Sequence, residues 1–119
     1  MLAREFRIAA DKDIKRILKL GKRFSCPECT LYCVPNTVGH PRATVIVASG
    51  VSKEAVVRNR VKRQCRDVLR VAVTEGVLTQ PLDVIIMIRS AIVKVDDDVR
   101  RDFFKKFFER IGILPRPRK

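Results

Sequence analysis

Apolar residues near the start of the chain recur with the spacing of an amphipathic helix. Ile14, Ile17 and Leu18 stand at i, i+3 and i+4, so their side chains share one helix face. Asp11 precedes them as a helix-capping residue, and Gly21 follows as a residue that ends helices. The pattern predicts a first helix that starts near Asp11 and packs its apolar face on a core.

Three later segments have the composition of β-strands. Residues 30–35, 42–48 and 82–89 are rich in apolar side chains, and "PNTVGHP" between the first two supplies turn-forming residues. The third segment, "LDVIIMIR", is almost continuously apolar. Strands of that kind are buried on both faces, so we expect it at the centre of a sheet.

Two further helices are predicted between and after these strands. One spans about 53–75, and the other spans about 96–111 with three acidic residues at its positive N-terminal end. The element order is then α-β-β-α-β-α, which predicts an α+β fold, an α-β sandwich.

The length of the chain sets the number of domains. With 119 residues it suits one domain with one core. We expect that domain to span residues 1–114 and to be followed by a basic tail, "PRPRK", at 115–119.

The charge balance indicates an anionic partner. The net charge is +13, from 26 Lys and Arg against 13 Asp and Glu. Such an excess attracts polyanions, with nucleic acid as the first candidate and an anionic membrane surface as the second. No apolar run approaches the roughly 20 residues of a membrane span, and the N-terminus has no signal-peptide pattern. We therefore expect a cytoplasmic protein without a membrane partner.

Much of this charge is concentrated in the second predicted helix, around "RNRVKRQCR" at 58–66. On a helical wheel, one stripe is apolar: Val57, Val61, Cys65, Val68 and Ala72. The remaining faces carry Arg58, Asn59, Arg60, Lys62, Arg63, Arg66 and Arg70. Like charges at i, i+4 destabilise a helix, so a repeated series of them is better explained by phosphate binding than by solvation.

Three classes of nucleic-acid-related protein share such a helix. One is an RNA-binding subunit of a ribonucleoprotein, the second is a basic-helix DNA-binding protein, and the third is a ribosomal structural protein. Strands and not a helix precede the basic helix, which disfavours a helix-turn-helix.

Metal and catalytic signals are weak. Cys26, Cys29 and Cys33 are close in sequence, but a structural zinc site needs four ligands and no second pair follows. A metal or redox role of these cysteines stays open. His40 has no evident nucleophile or acid beside it, and no carboxylates converge, so we expect no catalytic residues and no metal site in the protein.

The basic helix also carries a family resemblance. "AVVRNRVKRQCRDVLR" at 55–70 resembles the signature of the protein component of bacterial ribonuclease P, A-V-x-R-N-R-x-K-R-x-x-R. "DIKRILKLGKRF", "TLYCVP" and "LDVIIMIRS" resemble the family's first helix, first long strand and last strand. The resemblance covers about residues 11–90 in the family's order.

The resemblance implies a fold, a partner and a reaction. The fold is a compact α-β sandwich with a left-handed βαβ crossover around the basic helix. The protein is the accessory subunit of an endonuclease whose catalytic RNA removes the 5′ leader of precursor tRNA. The resemblance implies no cofactor bound by the protein, whereas the holoenzyme requires Mg²⁺ for phosphodiester hydrolysis in the RNA.

Site residues follow from the resemblance, position by position. Those expected to contact the catalytic RNA are Lys53, Arg58, Asn59, Arg60, Lys62, Arg63 and Arg66. Those expected to line a cleft for the single-stranded leader are Ile14, Leu18 and Tyr32. Family members often have Phe where this chain has Ile14 and Leu18, and a Lys pair where it has Ser49 and Gly50. Both departures predict that the leader is bound more weakly, or through other residues.

Overall fold

The computed structural model describes residues 6–8, 10–47, 50–74 and 81–110, with the side chains of 72–74 and 108–110 excepted. Ser49 and the predicted tail at 115–119 lie outside the described residues.

Four helices and four strands make up the described chain. The helices are α1 (Asp11–Leu20), α2 (Ala55–Thr74), α3 (Ser90–Val93) and α4 (Asp97–Arg110). The strands are β1 (Lys22–Ser25), β2 (Cys29–Pro35), β3 (Arg42–Val47) and β4 (Leu82–Ile88). All six predicted elements are present, and the α+β class is confirmed. The short elements β1 and α3 were not predicted.

The strands form one sheet in the order β1-β2-β4-β3. β2 pairs antiparallel with both β1 and β4, whereas β3 and β4 are parallel. Parallel neighbours need a crossover, and α2 supplies it between β3 and β4. The central position expected for β4 is confirmed, and the left hand of the crossover stays a prediction.

Helices cover both faces of the sheet. On one face, α2, α3 and α4 pack on the sheet around a large core that includes Val61, Leu69, Val84, Ile86 and Phe104. On the other face, a smaller cluster of Ile8, Ile17 and Ile85 holds α1. Alternate residues of β4 therefore contribute to the two cores, as the two-residue period of a strand requires.

The two ends of α1 differ in how well they were predicted. Asp11 is not the cap: the helix begins at Asp11, Ala10 is the N-cap residue, and no side-chain cap hydrogen bond forms. Asp11 instead lies in the first turn with Asp13, where acids favour the helix dipole. Gly21 does end the helix, and its N–H donates to the carbonyl oxygen of Ile17 at 2.8 Å.

A buried arginine connects α4 to the rest of the fold. Arg100 is almost fully buried, and its Nη1 donates to Gln64 Oε1 of α2 at 2.6 Å. The same guanidinium donates to the carbonyl oxygens of Ile92, Val93 and Val95. These bonds satisfy backbone acceptors at the α3–α4 connection and fix α4 relative to α2.

Candidate RNA-binding surfaces

The helix α2 is anchored by an apolar stripe along one side. Val61 and Cys65 are fully buried, which confirms the centre of the predicted stripe, and Leu69 continues it. Val57 and Val68 are only half-buried, and the side chain of Ala72 lies outside the described residues. The stripe is rotated slightly toward Leu69 and Gln64 because α4 packs on that side and Arg100 reaches Gln64.

The opposite side of α2 is polar and strongly basic. Asn59, Arg60 and Arg63 are exposed, and Lys62 and Arg66 are half-buried. A shallow concavity of about 340 Å³ is lined by Asn59, Lys62, Arg63, Arg66 and Asp67. The structure therefore brings four of the predicted RNA contacts together. Asp67 forms an ion pair with Arg70 at 3.7 Å and adds an acid to this surface.

Two predicted contacts lie at the start of α2. Arg58 Nη1 donates to the carbonyl oxygen of Ser52 at 2.6 Å, so this side chain also fixes the turn before the helix. A guanidinium has five N–H donors, which leaves Arg58 free donors for a phosphate. Lys53 is exposed two residues before the helix, beside the same turn. Both extend the basic surface toward the N-terminal end of α2.

A row of four side chains crosses the other face of the sheet. In the strand register, Arg23 pairs with Tyr32, Tyr32 with Ile85, and Ile85 with Thr44. Paired residues project to the same face, so the row runs from the edge strand β1 to β3. Ile85 is fully buried under α1, whereas Tyr32 and Thr44 are partly exposed and Arg23 is exposed. The sheet is therefore incompletely covered on this side.

Two of the three predicted cleft residues lie on this face together. Ile14 and Tyr32 both pack against the cluster of Ile8, Ile17 and Ile85. Leu18 is 39% exposed and belongs to neither core. Met87 of the inner strand β4 and Ile46 of the edge strand β3 are also half-buried, which marks an apolar floor beside α1.

An exposed arginine at the end of this floor was not among the predicted site residues. Arg89 is exposed, its Nη1 lies 3.4 Å from Ser25 Oγ, and Ser25 Oγ lies 3.3 Å from Thr30 Oγ1. Arg89 follows β4 in the same alternation as Ile85 and Met87. Because alternate residues of a strand project to the same face, this spacing in the sequence places Arg89 on the face that carries the floor.

A buried carboxylate fixes α1 above the floor. Asp83 is fully buried and accepts hydrogen bonds from Arg16 at 2.8 Å, from Asn36 at 2.9 Å and from Arg42 at 2.7 and 2.9 Å. Burial raises the pKa of Asp83, but the bonds from Arg42, Asn36 and Arg16 outweigh it and hold that pKa below its ordinary value. The network joins α1, β3, β4 and the loop at Asn36.

The cysteines are all free thiols. Cys29 and Cys65 are buried, and burial raises the pKa of both thiols. Cys26 Sγ donates to the carbonyl oxygen of Cys29 at 3.3 Å across the β1–β2 turn. Within the described ranges, no group of three or more His, Cys, Asp or Glu side chains is placed to hold a metal ion.

No helix in the described part of the chain is long and apolar enough to cross a membrane.

Comparison with known structures identifies the fold. A Staphylococcus aureus RNase P protein mutant superposes with a TM-score of 0.84 at 22% identity, and the match covers 92% of this chain and 91% of that one. The RNase P protein from Thermotoga maritima superposes with a TM-score of 0.74 at 22% identity, over 87% of this chain and 96% of that one.

Comparison of sequences identifies the family. Two relatives named "Ribonuclease P protein component" are similar over most of their length. The one from Photorhabdus laumondii is 30% identical over 107 residues, 90% of this chain and 87% of the relative. The one from Pasteurella multocida is 32% identical over 108 residues, 91% of this chain and 88% of the relative. The family model described as Ribonuclease P matches residues 2–112, and the chain therefore belongs to the ribonuclease P protein family.

Proposed function

We propose that this chain is the protein subunit of a ribonuclease P ribonucleoprotein that matures the 5′ ends of tRNA. In this proposal the basic surface of α2 binds the catalytic RNA. The cleft between α1 and the sheet binds the single-stranded leader of precursor tRNA. Phosphodiester hydrolysis takes place in the RNA with Mg²⁺, and the protein contributes binding and orientation.

The observation that carries the proposal is the division of α2 into two sides. Val61, Cys65 and Leu69 bury one side completely, so the helix cannot rotate to change what it presents. Arg60 and Arg63 project from the other side with no hydrogen bond or ion pair to any described residue. A rigid helix with fixed, unneutralised guanidinium groups suits the phosphates of a folded RNA.

The position of the second surface supports a two-site arrangement. Tyr32 and Ile14 lie on the sheet face that carries α1, and α2 lies on the opposite face. A catalytic RNA bound to α2 therefore leaves the α1 face open to a second RNA strand. An aromatic ring beside aliphatic side chains suits an unstacked base of a single strand.

The roles of the acidic residues support an RNA-centred reaction. Among the described residues, Asp83 is held by two arginines, Asp97 by Arg100 and Asp102 by Lys106. Asp83 is therefore neutralised in the interior, and Asp97 and Asp102 each have a cationic partner at the surface. A protein nuclease instead uses clustered carboxylates that are open to metal ions.

Reconstitution tests the proposal. Purified protein is added to a bacterial ribonuclease P RNA and a precursor tRNA at physiological salt. We expect the protein to accelerate release of the 5′ leader, because it neutralises phosphates that otherwise repel one another. Protein without the catalytic RNA should cleave nothing. Cleavage by protein alone after treatment that destroys RNA, or absence of any acceleration, contradicts the proposal.

A further inference from the structure

Arg23 stands at the outer end of the row that contains Tyr32. It lies on the edge strand β1, directly opposite Tyr32 in the register, and its side chain is exposed. α1 packs mainly on β2 and β4 and leaves this edge uncovered. The inner neighbour of Tyr32 in the row, Ile85, is fully buried and apolar. Tyr32 therefore has a dry apolar side and an open basic side.

The charge of Arg23 has no partner in the part of the chain that is described. Among the described residues, none forms a hydrogen bond or ion pair with its side chain, in contrast to Arg16 and Arg42, which are both held by Asp83. The adjacent Lys22 pairs with Cys33 and so projects to the opposite face of the sheet, beneath the larger core. Arg23 is thus a guanidinium directed to the Tyr32 side alone.

We propose that Arg23 binds a backbone phosphate of the leader nucleotide whose base lies against Tyr32. This assignment rests on the proposed function and adds to it a residue that positions the substrate. A base that contacts the Tyr32 ring displaces water from an apolar site, whereas its phosphate must remain hydrated or meet a cation. Ile85 closes the inner side, so the phosphate lies toward the strand edge, where Arg23 offers a two-pronged donor.

Binding of the leader by Arg23 and Tyr32 therefore does not depend on the leader sequence. A phosphate contact carries no base information, and stacking on an aromatic ring accepts every base. The aliphatic Ile14 and Leu18 offer no further ring in α1. The phosphate contact at Arg23 therefore contributes a larger share of the affinity for the leader than it would if α1 supplied an aromatic ring.

The test uses the holoenzyme reconstituted with a bacterial ribonuclease P RNA, and a matched pair of variants. Arg23→Ala and Lys22→Ala remove the same charge from adjacent positions of β1, on opposite faces. Arg23→Ala should weaken binding of precursor tRNA about three- to tenfold, as expected for one charge-assisted contact. Binding of the same tRNA without its leader should not change. Lys22→Ala should affect both substrates equally.

Two further readouts identify the contact as a phosphate. For Arg23→Ala, the log–log salt slope of precursor binding should become shallower by about 0.7, the value for one single-strand phosphate. Arg23→Lys should restore that slope. Neutral methylphosphonate linkages, placed one at a time along the leader, should weaken binding to the wild-type holoenzyme at one position and leave Arg23→Ala unaffected there.

The possible failures are distinguishable. If the wild-type protein does not distinguish precursor tRNA from leaderless tRNA, the proposed leader cleft is wrong. If it does, but Arg23→Ala behaves like Lys22→Ala, or no single linkage is coupled to Arg23, the assignment of Arg23 is wrong and the cleft remains.

Discussion

Arg16 of α1 donates a hydrogen bond of 2.8 Å to the buried carboxylate of Asp83 in β4. This contact joins the helix above the candidate cleft to the central strand beneath it. Arg42 contacts the same carboxylate from β3, so one buried group connects α1, β3 and β4. Arg16 is therefore committed to the fold, although its charge alone would place it among RNA-binding residues.

Replacing Asp83 by Asn should destabilise the protein. The amide retains the shape of the side chain but leaves Arg16 and Arg42 without their counter-charge, at a cost of about 2–4 kcal/mol in the free energy of unfolding. Urea denaturation at neutral pH measures this loss. A loss below the error of the measurement contradicts the structural role of the network.

The same carboxylate predicts an acid dependence of stability. The folded-state pKa of Asp83 lies below its ordinary value of 3.8, so its contribution is complete above that value and is lost as pH falls through the folded-state pKa. Wild-type stability should therefore fall more steeply than that of Asp83→Asn as the pH is lowered below about 4. Urea midpoints of both proteins across this range provide the test, and parallel curves contradict it.

Gly21 should resist substitution for a steric reason. Its φ of −71° suits any residue, but an added Cβ would lie 2.6 Å from the Ile17 carbonyl oxygen and 3.2 Å from the backbone nitrogen of Cys33. Gly21→Ala should cost about 1–3 kcal/mol of stability because backbone on both sides must move. Gly50→Ala is the control, since a Cβ there meets nothing within 4 Å. Equal thermal midpoints for the two variants would contradict this reading.

The long elements were predictable because their patterns are long. The apolar run of β4 extends over most of the strand and specifies a buried strand. The apolar stripe through Val61 and Cys65 extends over several turns of α2 and specifies the buried face of that helix. β1 has only four residues and one apolar side chain, Phe24, so neither period is visible. α3 is a single turn. It is fixed by the hydrogen bonds that Arg100 donates to its carbonyl oxygens and not by its own sequence.

The site was predictable where it rests on a single helix. The polar side of α2 follows from the helical wheel, and the structure brings Asn59, Lys62, Arg63 and Arg66 to one concavity. The cleft depends on which strands are neighbours, and local pattern does not specify that. Arg23 and Arg89 border the floor through the strand order β1-β2-β4-β3, which brings distant segments side by side.

Substitutions on the two sides of α2 should separate binding from folding. Arg60→Ala and Arg63→Ala should weaken binding to the catalytic RNA and leave the thermal midpoint near that of the wild type, since both side chains are exposed. Val61→Asp should unfold the protein, because it buries an unpaired charge at a fully buried position. Melting curves and RNA titrations measure both effects. Arg variants as unstable as Val61→Asp would contradict the orientation of α2.

Tyr32 provides the test of the leader cleft itself. Tyr32→Leu keeps an apolar side chain against the Ile8–Ile17–Ile85 cluster but removes the ring. If a leader base stacks there, the variant should lose roughly 1–3 kcal/mol of affinity for precursor tRNA. Tyr32→Phe keeps the ring and should bind like the wild type. Affinity for tRNA without a leader should be the same for all three proteins. Equal losses for both tRNAs would make Tyr32 a packing residue of the α1 core, and the cleft would then have to be placed elsewhere.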